Sequence, residues 1–169
     1  MVTGLVLPAI ACRRPSAQDK PAFIAKTYLT AFLQGDYKTA ASLLHPIALE
    51  GVRAAFLDGL SKARVVGGEK DYLDALGGHP SSELESLTSV DLFVALREGA
   101  DKVSRPDFEF RKKTKLEVIS TQFADSGKAT VRLKCIPSAE SPDLSFEDSF
   151  ELLLAGSEWK VLREVHKSK

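Results

Sequence analysis

Between Pro21 and Gly35 the chain reads as a helix that is apolar around most of its circumference, and this constrains the fold more than any other feature. Asp19 and Pro21 mark its start, and Gly35 ends it in the left-handed conformation that glycine adopts at little cost. Lys26, Thr27, Thr30 and Gln34 recur at three- and four-residue spacing, while nearly every other position through Leu33 is apolar. A helix with so narrow a wet stripe must be covered on most sides. One flat neighbour covers one side of a cylinder, whereas a curved sheet wrapped around it covers most of it.

The sheet is written in the last third of the chain. From Thr114 the periodicity becomes two: a strand to Phe123, a turn at Asp125-Ser126-Gly127 and a second strand from Ala129 to Ile136. A looser connection through Pro137 and Pro142 leads to a third strand, Leu144 to Leu154, and Gly156-Ser157 forms a two-residue turn into a fourth, Trp159 to Val165. After the first helix, Asp36 caps a second with Tyr37, Ala40, Ala41 and Leu44 on one stripe. His45-Pro46 closes that helix, and a third carries Leu49, Val52, Phe56, Leu60 and Ala63. Gly67-Gly68, Gly77-Gly78-His79-Pro80 and Arg105-Pro106 punctuate residues 65–110, so loops and mobility are expected there. Within it, Thr88 and Asp91 start one helix with Leu92 or Phe93, Leu96, Ala100 and Val103 on a stripe. The fold class is therefore α+β, with N-terminal helices packed into a strongly bent antiparallel sheet, a cystatin-like or cone roll.

Several phrases share this order of elements with a known family. They are Leu33-Gln34-Gly35-Asp36-Tyr37 running into Ala40-Ala41-Ser42-Leu43-Leu44, then Gly127-Lys128-Ala129-Thr130-Val131, and finally Gly156-Ser157-Glu158-Trp159-Lys160-Val161. In these the chain resembles the nuclear transport factor two-like superfamily, and the last phrase is similar to the closing strand of many small exported members. The resemblance implies a cone whose core and pocket hold Ile24, Tyr28, Phe32, Phe146, Phe150, Trp159 and Val161, with Tyr28, Phe32, Phe146, Phe150 and Trp159 as ligand-binding residues. Such folds host isomerases, dehydratases, ligand binders and interaction modules, so the fold alone selects none of these.

At 169 residues the chain suits one domain, and 44% hydrophobic with 27% charged residues is ordinary globular composition. Lys+Arg and Asp+Glu each number 23, so no net field attracts a polyanion and nucleic acid is not expected as a partner. Arg105, Arg111, Lys112, Lys113 and Lys115 cluster around Phe108 and Phe110, but Asp107 and Glu109 lie among them, which reads as a solvated approach to a strand. Val2 to Ala11 is almost wholly apolar and is followed by Cys12, Arg13 and Arg14. Small residues before a cysteine resemble the end of an export signal, with Cys12 in the place of a lipidated cysteine. The run is about half the ~20 residues a membrane span needs. The expected organisation is residues 1–18 as export-signal remnant and linker, with 1–11 absent from the mature protein, and 19–167 as the roll. The expected location is the bacterial cell envelope, periplasmic or lipid-anchored, with the membrane engaged only through that anchor. A frayed N-terminus on a cytoplasmic protein is the alternative.

The catalytic candidates are Asp148 and Arg163. Asp148 shares strand phase with Phe146, Phe150 and Leu152, and Arg163 with Trp159 and Val161. A regular hairpin at Gly156-Ser157 places Arg163 opposite Phe150 and diagonal to Asp148. That pair is either a pocket acid beside a cationic orienter or an ion pair satisfying two half-buried charges. His45, at a helix C-terminus, His79 and His166 have no partner spacing for a triad or a metal, and with Cys12 set aside Cys135 is a lone strand thiol. No metal or cofactor is expected. The functional expectation is a non-enzymatic exported domain binding a small apolar ligand or a protein partner; the alternative is an isomerase or dehydratase acting through a pocket carboxylate. A homodimer through the outer sheet face is compatible with the fold.

Overall fold

The computed structural model describes residues 20–104, 111–124, 127–137 and 145–165. Among them, helices α1 (Pro21–Gln34), α2 (Tyr37–Leu43), α3 (Pro46–Val65), α4 (Glu69–Ala75), α5 (Ser81–Ser86) and α6 (Ser89–Val103) precede strands β1 (Lys115–Ala124), β2 (Lys128–Ile136), β3 (Phe146–Ala155) and β4 (Glu158–Glu164). Gly35 closes α1 at φ 78°, and its N–H returns to the last turn of that helix.

The strands form an antiparallel meander in the order β1-β2-β3-β4, open because β1 and β4 are its two edges. Helix α1 packs against all four strands, so the sheet is wrapped around it as its apolar circumference requires. Its side of the sheet presents Leu116, Val131, Leu133, Cys135, Phe150, Leu152 and Val161, all buried with Ala25 and Leu29 of α1. Both edge strands carry an irregularity, one between Val118 and Ser120 and one in β4 opposite Glu151 and Leu152. Such bulges bend and twist a strand, which suits the margins of a wrapped sheet. The β4 margin is also covered, since His45 N–H donates to the Val161 carbonyl at 2.8 Å where Leu44 bridges Val161.

Residues 65–104 differ from the loop-rich expectation. They form α4, α5 and α6, which enclose a second core of Phe56, Leu60, Leu84 and Leu92 with Tyr72, Leu73 and Leu76 around it. The glycine pairs are tight connections between these helices rather than long loops. Arg105, Asp107, Phe108, Glu109 and Phe110 of the charged cluster, Asp125 and Ser126 of the first turn, the start of the third strand at Leu144, and Cys12 and His166 lie outside the described residues. His45 also departs from expectation: its Nδ1 accepts from Ile47 N–H at 3.2 Å, so it caps the start of α3 rather than the end of α2.

Candidate functional site

Strand alternation turns Asp148, Phe150 and Leu152 of β3 toward α1. Phe150 and Leu152 are fully buried and Asp148 is half-buried beside Cys135, whose thiol lies 3.6 Å from Asp148 Oδ2. Burial first, then the Asp148 charge, pushes the Cys135 thiol up to about 12. Tyr28 projects from α1 onto this face, its ring edge-on to Phe150 at 5.9 Å and tilted against Phe32 at 6.1 Å. Burial raises the Tyr28 phenol to about 12, the Arg97 charge opposes the rise and Glu164 adds to it. Glu164 also acts on Cys135, so one exposed carboxylate at the sheet edge is felt by both the Tyr28 phenol and the Cys135 thiol.

Arg163 is not in it. From the turn, Ala155 pairs with Glu158, Leu154 with Trp159 and Leu152 with Val161, but Glu151 then pairs with Arg163 and Phe150 with Glu164. One extra residue, Leu162, is taken up in β4, and every position beyond it changes face. The expected placement of Arg163 opposite Phe150 is thus overturned, and Glu164 stands there instead. Arg163 lies on the outer face in a two-pronged pair with Glu151, Nε to Oε2 at 2.8 Å and Nη2 to Oε1 at 3.0 Å. That pairing lowers the Glu151 carboxyl and raises the Arg163 guanidinium. Asp148 has no cationic orienter in Arg163.

The five expected ligand-binding residues do not share one pocket. Tyr28, Phe32 and Phe150 are joined through Tyr28 by ring contacts. Phe146 opens β3 and is half-exposed, whereas Trp159 pairs with Leu154 at the other end of that strand and meets Phe123 edge-on at 6.1 Å. Those two ends are separated by roughly 27 Å of extended chain.

Among the described residues, two grooves lie outside the sheet's concavity. A groove of about 340 Å³ runs between α3, α4 and α6, walled by Val52, Ala55, Phe56, Phe93 and Leu96, with Arg97 at its border. A second, of about 450 Å³, follows the wet stripe of α1 with Lys26, Thr27, Thr30 and Gln34. Arg97, which the sequence reading did not single out, sits 5.1 Å from the ring centre of Phe32 and 5.5 Å from that of Phe93. Beside it, Tyr37 hydroxyl and Arg111 both donate to Asp101, tying α2 and the start of the sheet to α6. Burial and the Asp101 bond both raise the Tyr37 phenol. The sequence signal for Arg97 was a cation next to Leu96 on an apolar stripe. Among the described residues no cluster of three or more His, Cys, Asp or Glu could hold a metal ion, and no helix is long and apolar enough to cross a membrane.

Fold and site together define an α+β roll whose open antiparallel sheet is filled by its first helix and flanked by a helical annex with an apolar groove. No protein-family model matches the sequence, and no curated protein matches it. Among solved structures it is similar to a Campylobacter jejuni protein provisionally assigned as an NTF2-like transpeptidase, at 16% identity and a TM-score of 0.45, over 85% of this chain and 97% of that one. A likeness at that level carries neither activity nor site residues to this chain.

Proposed function

We propose that this chain is a non-enzymatic, exported domain that binds a small, largely apolar ligand. The observation that carries the reading is the apolar groove of the helical annex, which lies apart from Asp148 and Cys135. The concave face is occupied by α1, with Phe150, Leu152 and Val131 fully buried beneath it, while an apolar groove of about 340 Å³ lies open between α3 and α6. Native mass spectrometry of protein purified from its source tests this directly. The expected result is a retained organic molecule that is lost on denaturation; protein that carries no such mass and binds no apolar fluorescent probe refutes it. A bound polypeptide in the same spectrum would move the reading to a protein partner. Export rests on the Val2 to Cys12 segment. Cys12→Ser in the native reading frame is expected to release the protein from the membrane fraction, and a cytoplasmic wild type with Met1 or Val2 at its N-terminus refutes export.

The second reading, an isomerase or dehydratase, is favoured by one observation, the placement of Asp148 on the α1-facing side beside Cys135. Under it, Asp148→Asn abolishes turnover of a hydrophobic carbonyl substrate without lowering the melting temperature.

A further inference from the structure

We propose that the groove between α3 and α6 is a site for a small amphipathic carboxylate, its apolar body against Val52, Phe56, Phe93 and Leu96 and its carboxylate on Arg97. This deepens the ligand-binding reading above and rests on it.

Among the described residues, Arg53, Arg64, Arg111, Arg132 and Arg163 each donate hydrogen bonds to a carbonyl or a carboxylate. Among the described residues Arg97 forms neither a hydrogen bond nor an ion pair; it is exposed, seated against two rings, and its charge acts on the Tyr28 and Tyr37 phenols. Those contacts seat the cation against Phe32 and Phe93 and leave its N–H fork open to solvent, able to take a planar two-oxygen acceptor. The helical partner for Arg97 at four residues' spacing is Asp101, which is already committed to Tyr37 and Arg111. The carboxylate at that spacing is therefore held elsewhere.

The groove supplies the other half of the ligand. Besides Arg97, its lining has one polar side chain, Tyr72, and that hydroxyl is used on the Phe56 carbonyl at 3.3 Å. The remaining walls are aliphatic and aromatic, and the volume lies in the range of about 300–1,000 Å³ typical of small-molecule pockets. A ligand that fits both parts has an apolar body and a single anionic head. One guanidinium, with Arg111 committed to Asp101, matches a planar monoanion rather than a phosphate dianion.

The test is calorimetric titration of the full chain with decanoate, decanol and decyltrimethylammonium, with amide chemical shifts to locate the contact. Decanoate is expected to bind more tightly than either control and to shift α3 and α6. Arg97→Gln should weaken decanoate about tenfold while leaving decanol unchanged, and Arg97→Lys should recover part of the loss. Ala55→Phe, which fills an exposed groove wall, should weaken decanoate and decanol alike. Each variant is compared at a temperature well below its own melting point. Equal affinity for decanoate and decanol, indifference of decanoate to Arg97→Gln, or shifts along the α1 stripe would overturn the site. If decanoate fails while native mass spectrometry still finds a retained apolar molecule, this site falls and the binding reading stands; if both fail, both fall.

Discussion

Gly99→Ala gives a sharp test of how the helical annex is built. A Cβ at Gly99 would lie 1.9 Å from the Leu76 carbonyl oxygen, 2.8 Å from its carbon and 3.2 Å from Gly77 Cα. Carbon and carbonyl oxygen approach to about 3.3 Å at closest, so the Leu76-Gly77 turn must retreat by about 1.4 Å. The obstacle is backbone, which cannot rotate aside, and Gly77 sits at φ 100°, where an L-residue is strained. Retreat of the turn loosens Leu73, Leu76 and Tyr72 around the second core. Overpacking of this kind costs up to about 3 kcal/mol, and the better helix propensity of alanine returns about 1 kcal/mol. The net loss is about 2 kcal/mol, or roughly 4–8 °C in melting temperature for a domain of this size. Gly51→Ala is the matched control: it is also helical, and nothing lies within 4 Å of its added Cβ, so propensity alone acts and the melt should rise by roughly 2–4 °C. Thermal melts by circular dichroism decide the matter. If Gly99→Ala melts as high as Gly51→Ala, the Leu76-Gly77 turn does not rest on α6.

Two further predictions concern the face under α1. With the Cys135 thiol raised to about 12, roughly one molecule in ten thousand carries the thiolate at pH 8, so iodoacetamide should label the native protein far more slowly than the urea-unfolded chain; comparable rates would contradict its burial. A thiol raised above its ordinary 9.0 stabilises the fold fully below pH 9 and loses that contribution as pH climbs toward about 12, and Tyr28, raised from 10.0 to about 12, acts with the same sign. Cys135→Ala should therefore delay the alkaline fall in melting temperature from about pH 9 to about pH 10, and an unchanged onset would refute the assignment. Asp148→Asn should lower the Cys135 thiol pKa, read from the pH dependence of its alkylation, whereas Arg163→Ala on the outer face should leave it unmoved; equal effects would contradict the β4 register.

Much of this architecture was legible because it is local. The wet stripe of α1, Gly35, the Asp36 and Thr88 caps and the turn at Gly156 all act over a few residues, and the structure places each where period and cap chemistry require. Helices α4 and α5, at 7 and 6 residues, are too short for a periodicity to emerge between glycine pairs. What fixes them is the contact of Gly77 with Gly99 and the burial of Leu84, both set by chain distant in sequence.

The site was less legible for the same reason. Strand phase is a local count, and it held from Trp159 to Val161, but the bulge at Leu162 belongs to an edge strand that must both close on α1 and receive His45 along its margin. That single inserted residue moves Arg163 to the outer face, sets Glu164 opposite Phe150 and turns an expected acid–cation pair into a carboxylate beside a thiol. Arg97 presents a similar case. Its seat is made by Phe32 from α1 and Phe93 from α6, and among the described residues it has no ion pair, Asp101 being held by Tyr37 and Arg111. An arginine beside Leu96 is an ordinary surface residue in the sequence. Its candidacy as a ligand contact appears only when those groups converge, because an uncommitted charge is defined by what its neighbours are already bound to.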